Sequence, residues 1–128
     1  MATKNRIFIT FAIEDKWARD YLVGQARNEN SPFEFVDMSV KEPWKEDWKT
    51  ACRTKMRGCD GVIAIITKNS PNASGQKWEM SCAVSEKIPM IGLRAQSNDF
   101  TTPPSEFGNN RIIPWTWKDI AAFINSLP

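Results

Sequence analysis

The sequence predicts an α/β three-layer sandwich, and three observations carry that prediction. The runs RIFITF and GVIAII are almost wholly apolar and lack the polar alternation of a half-solvated strand, so both faces of those strands must be covered. Strand-like and helix-like segments alternate from end to end, which implies right-handed βαβ crossovers and a parallel sheet. The 128 residues, 41% hydrophobic and 25% charged, suit a single domain over 1–128 that can bury a real core.

Taken in order, Arg6 to Phe11 is the first strand. Asp15 is placed to cap a helix from Lys16, with Trp17, Tyr21 and Leu22 as its inward stripe and its end near Asn28 to Asn30. Phe33 to Val36 is a second short strand, with Asp37 just past its end. Pro43 suits the first turn of a helix along which Trp44, Trp48, Cys52 and Met56 recur every four residues, and Gly58 stops it. Gly61 to Ile66 is the central strand, and the polar segment Thr67 to Gly75 offers Ser74 as N-cap for a helix from Gln76 to Glu86. A fourth strand, Met90 to Leu93, follows Pro89. Residues 95–110, rich in Ser, Asn, Thr, Pro and Gly, form a long surface loop. Ile112 and Ile113 make a short fifth strand, and Asp119 to Leu127 an amphipathic helix beside which Trp115 and Trp117 pack.

The composition excludes several functions. A net charge of +2 with no run of five like charges gives no support for a nucleic-acid partner. No apolar stretch approaches a membrane span or a signal-peptide core, so a cytoplasmic location away from membranes is expected. The 3 cysteines, Cys52, Cys59 and Cys82, form no CxxC pair and are expected to be buried thiols. With 0 histidines there is no Cys–His or Ser–His–Asp catalysis, and a zinc site is not expected.

Five strands so connected take the order 2-1-3-4-5, the flavodoxin-like plan, whose ligands bind beyond the carboxyl ends of the strands where the order reverses. Strands one and three flank that point, so Phe11 to Asp15 and Thr67 to Glu79 are the segments to watch, with Asp37 nearby. Glu79 stands out: Trp78 is expected to pack on the sheet and Glu79, one position around the helix, to face the cleft mouth. A carboxylate there can hold ribose hydroxyls and stabilise charge on an anomeric carbon. It equally suits the positive end of a helix dipole, worth about 0.3–1 kcal/mol. Asp37 can be a turn cap, and Asn69, Ser70, Asn72 and Ser74 can face a phosphate or simply fill a loop. Trp44 and Trp48 suit core packing as well as a ligand wall.

The runs RIFITFAIEDKWARDYL, FEFVDMS and RGCDGVIAIITKNSPNASGQKWEMSCAVSEKIPMIGL resemble the TIR-like family. Within it they are most similar to the bacterial TIR proteins of the Thoeris antiphage system, the ThsB subunits. The likeness runs from about Arg6 to Leu127, and its most specific part is a helix opening Ser-x-x-x-Trp-Glu at Ser74, Trp78 and Glu79. The resemblance implies a flavodoxin-like fold and, in the enzymatic branch, cleavage of the nicotinamide–ribose bond of NAD+, with Glu79 as the matching essential glutamate. NAD+ is then substrate, with no separate cofactor and no metal. Phe11 and Ala12 would line the floor, Trp44 or Trp48 would shield the nicotinamide, and Asp37, Asn69, Ser74 and Trp78 would complete the substrate contacts. Thoeris-like members make a cyclic ADP-ribose isomer that signals to an effector protein. Two departures are present: Asp37-Met38-Ser39-Val40 lacks the glycine of the family's second box, and Thr10-Phe11 replaces the usual Ser-Tyr or Ser-Phe of the first. The alternatives are a non-catalytic interaction module that self-associates or pairs through its helices or the Asp37 loop, and a nucleotide-binding regulator without turnover.

Overall fold

The computed structural model describes residues 5–30 and 33–128; the first four positions, part of the stretch judged too short for a leader, lie outside the described residues. Strands β1 (Arg6–Thr10), β2 (Glu34–Val36), β3 (Gly61–Ile66), β4 (Met90–Arg94) and β5 (Ile112–Pro114) pair in parallel in the order β2-β1-β3-β4-β5. Helices α1 (Lys16–Asn28), α2 (Glu46–Arg57) and α3 (Ser74–Ser85) supply the first three crossovers, the β4–β5 connection carries only a 3-10 turn at Ser105–Phe107, and α4 (Trp117–Asn125) follows β5. This is the α/β arrangement expected from the sequence.

The period-two alternation of strand side chains divides the core into two layers. Ile7, Ile9, Ile63, Ile65, Ile91 and Leu93 pack with Leu22 of α1 and with Ile120, Phe123 and Ile124 of α4. Phe8, Val62, Ala64 and Ile66 pack on the other face with Trp48, Cys52 and Met56 of α2 and Met80, Cys82 and Ala83 of α3. Thr10 shares the parity of Phe8, so its side chain faces α3 at the carboxyl end of β1. The sheet's two edges are 3 residues each, and β5 ends on Pro114.

Several local expectations are corrected. In α1 the inward residues are Ala18, Leu22 and Ala26, whereas Trp17 and Tyr21 are 51% and 62% exposed. Tyr21 lies instead edge-on to Trp115, with centroids 5.6 Å apart. Asp15 occupies the N-cap position of α1 without capping it, because its carboxylate is buried elsewhere. Helix α2 starts at Glu46 rather than near Pro43. Trp44 therefore leaves the helical stripe and is 70% exposed, while Trp48, Cys52 and Met56 keep it. Ser74 is the first residue of α3, not its cap. Thr116 caps α4, its Oγ1 accepting the Asp119 N–H at 3.2 Å. The 95–110 segment is not wholly superficial: Phe107, in a 3-10 turn at Ser105–Phe107, is buried against Gly92, where an added Cβ would lie 2.8 Å from the Phe107 ring. No helix among the described residues is long and apolar enough to cross a membrane.

Candidate functional site

The first turns of α3 lie against the carboxyl ends of β1 and β3, the point where strand order reverses. Gln76 fixes them there: its buried side-chain amide donates to Thr10 O at 3.2 Å and to Ile65 O at 2.7 Å, so one residue ties both strands to the helix. Its Oε1 is buried without a hydrogen-bond partner among the described residues. Three positions on, the same face of α3 presents Glu79, which is 0% exposed. The Thr10 hydroxyl donates to Glu79 Oε1 at 2.6 Å, and Lys41 Nζ lies 3.0 Å from both carboxylate oxygens. The Lys41 ammonium also stands 4.1 Å from the centroid of the Phe11 ring. A cation is thus held between a buried carboxylate and an aromatic face.

Burial pushes the Glu79 carboxyl above its ordinary range; the Lys41 charge is the strongest opposing influence, followed by the Thr10 hydroxyl. Burial, reinforced by the Glu79 charge, likewise pushes the Cys52 thiol up. Burial pushes Cys59 up to about 11. These thiols are buried, as expected.

Glu79 therefore does not face the cleft mouth. Lys41, only 5% exposed along its side chain, covers it. Residues 37–45, between β2 and α2, form a strap held at a few points. Arg19 pairs with Asp37 at one end, and the Trp48 indole N–H donates to Val40 O at 2.6 Å beside Lys41.

The remaining candidate residues fall in separate places. Phe11 lies under Lys41, and Ala12 is buried at the following turn, where its carbonyl accepts the Asp15 N–H. Trp44, Ser74 and Trp78 line a shallow groove of about 460 Å³ on the outer side of α3, together with Lys49 and Lys77. Trp78 does not pack flat on the sheet; it meets Trp48 edge-on at 5.4 Å with the Arg53 guanidinium over its ring. Trp48 itself is buried and anchors the strap. Asp37, paired with Arg19, borders a groove of about 620 Å³ with Phe33 and Phe35. Asn69 joins Asp15 at a hollow of about 270 Å³.

Two grooves of about 620 and 660 Å³ flank the two sheet edges, and neither is lined by Glu79. Glu79 is the candidate site residue because a desolvated carboxylate beside a charge partner at a switch point is where functional groups concentrate, whereas groove volume alone assigns no reaction. Lys41 and Gln76 carry no local sequence signal as site residues. Thr10 could have been marked by its position as the last residue of an inward-facing strand.

Asp15 has a structural role. Its buried carboxylate accepts from the Thr67 hydroxyl and, at 2.9 Å, from Asn69 Nδ2, tying the turn after β1 to the loop after β3. Asp15→Ala leaves both donors unpaired and is expected to cost about 1–3 kcal/mol in urea unfolding; a loss below about 0.5 kcal/mol would show that water replaces the carboxylate.

The sequence matches no protein-family model and no curated protein. Among solved structures, the crystal structure of a prokaryotic SEFIR domain superposes with a TM-score of 0.59 at 13% identity, covering 95% of this chain and 94% of that one. At that identity the likeness establishes the fold alone, an α/β sandwich on a five-stranded parallel sheet over nearly the whole chain.

Proposed function

We propose that this protein is an NAD+-cleaving enzyme of the TIR-like class, with Glu79 at the reacting centre. The observation that supports the reading is the buried carboxylate of α3 at the β1/β3 switch point, paired with a cation that sits over the Phe11 ring. In the reaction the bond between C1′ of the ribose and the nicotinamide nitrogen breaks, and the electron pair leaves with nicotinamide. The Glu79 carboxylate accepts hydrogen bonds from the ribose hydroxyls and opposes the positive charge developing on C1′. An oxygen nucleophile then captures C1′ and loses its proton. Water gives ADP-ribose, and a hydroxyl of the ADP side gives a cyclic isomer. Following the Thoeris-like resemblance, we favour the cyclic product, acting as a signal to an effector protein in antiphage defence. Entry of substrate requires the strap to withdraw, because Lys41 fills the space in front of Glu79.

The test incubates concentrated protein with NAD+ and follows nicotinamide by chromatography. Glu79→Gln is expected to slow release by at least about 100-fold, the usual loss when a transition-state charge partner is removed. Equal release by wild type and variant overturns the reading.

A second reading, a protein-interaction module, draws on the same strap. Val40 and Trp44 are 63% and 70% exposed on either side of the Lys41–Glu79 closure, an apolar display that a partner surface would cover. It predicts association that survives Glu79→Gln and no nicotinamide release at any concentration.

A further inference from the structure

We propose that Lys41 is an internal competitor for the Glu79 site: its ammonium occupies the place of a cationic ligand group and is displaced when the strap opens. The inference rests on the Glu79 reading above and adds to it the control of access. A quaternised aromatic ring and a lysine ammonium make the same two demands on a binding site, a carboxylate for charge and an aromatic face for contact. Lys41 Nζ meets both, at 3.0 Å from each oxygen of Glu79 and 4.1 Å from the Phe11 centroid. Its stem is accommodated by an absence of side chain: a Cβ on Gly75 would lie 2.5 Å from Lys41 Cβ and 3.1 Å from its Cγ. The glycine at the second position of α3 therefore lets the strap lie flat against the helix. The Trp48–Val40 hydrogen bond holds the strap one residue before the lysine.

Because the lysine and the ligand cannot share the carboxylate, apparent affinity for a cation is reduced by the fraction of molecules with the strap closed. Two substitutions should open the site by different physical routes. Lys41→Ala removes the competing charge. Gly75→Ala keeps it but introduces a methyl group where the strap lies, and the atom it meets is close to the backbone and cannot simply swing aside. A charged ligand should benefit more than a neutral one, since withdrawing the lysine leaves the carboxylate without a counterion.

The experiment titrates wild type, Lys41→Ala and Gly75→Ala with the N-methylnicotinamide cation and with neutral nicotinamide, neither of which carries a bond to cleave, and reads binding by NMR. Both variants are expected to bind the cation at least about tenfold more tightly than wild type, with little change for nicotinamide. If Lys41→Ala does not fold, Gly75→Ala decides alone. Unchanged cation affinity in a folded variant overturns the inference, as does an equal gain for the neutral ring. Nicotinamide release from NAD+ is scored separately. Glu79-dependent release with no gain in cation binding removes the competitor role and leaves cleavage standing. A gain in cation binding without release does the reverse.

Discussion

Lys41→Met is expected to destabilise the folded protein by about 3–5 kcal/mol near pH 8 and by far less near pH 4, the signature of a buried charge that has lost its partner. Methionine preserves the alkyl stem over Gly75 and keeps the chamber dry, so the change is close to a deletion of charge. Alanine, by contrast, admits water to the carboxylate and should cost less. The direction with pH follows from Glu79. Burial raises its carboxyl above the usual range even with Lys41 in place. A carboxyl raised on folding contributes stability that is complete below the unfolded value of about 4.3 and is lost as pH climbs through the higher folded value. Removing Lys41 takes away the strongest influence holding that value down, so the loss continues to higher pH and grows larger. Thr10 and Cys52 also face the carboxylate, and neither can replace the cation. Urea unfolding of both proteins at the two pH values measures the gap. The double variant Lys41→Met/Glu79→Gln should recover most of it at high pH. A gap independent of pH would place the loss in packing rather than in charge.

Phe8→Ala is expected to cost about 3–5 kcal/mol in the same unfolding assay. Phe8 is fully buried in the middle of β1, in the layer that carries Trp48, Cys52 and Met80, and truncation leaves a cavity between the sheet and both helices of that face. Trp44→Ala, a larger truncation at an exposed position outside α2, should change stability by no more than about 0.5 kcal/mol. Comparable losses at the two positions would put Trp44 back on the helix and in the core.

The fold was legible because its strongest signals are local. GVIAII is apolar at every position, as a strand covered on both faces must be, and strand order follows from the alternation of elements and the handedness of crossovers. The inward face of α1 was misread because hydrophobicity alone favours Trp17 and Tyr21 over Ala18 and Ala26. Which face of α1 meets the sheet is decided by the packed layers, where Ala18, Leu22 and Ala26 are the buried residues. Glu79 was locatable on its helix, since the position of α3 after the central strand is fixed by connectivity. Its burial was not. The partner that covers it lies 38 residues away in a segment without regular structure, where a lysine carries no periodic or spacing signal. Asp15 failed for a related reason: an acidic residue before a helix ordinarily caps it, and only the tertiary fold brings in Thr67 and Asn69, more than 50 residues on, to draw the carboxylate inward.

The brevity of β2 and β5 governs how copies of this protein can meet. A ladder of three residues offers an incoming chain only a few main-chain bonds, and Pro114 has no N–H to contribute to any extension beyond β5. Templated growth by adding strands to the sheet is therefore disfavoured at both flanks. Side-chain surfaces on helices and loops are then the favoured ground for any contact between copies, with dissociation expected to follow those contacts rather than a shared backbone lattice.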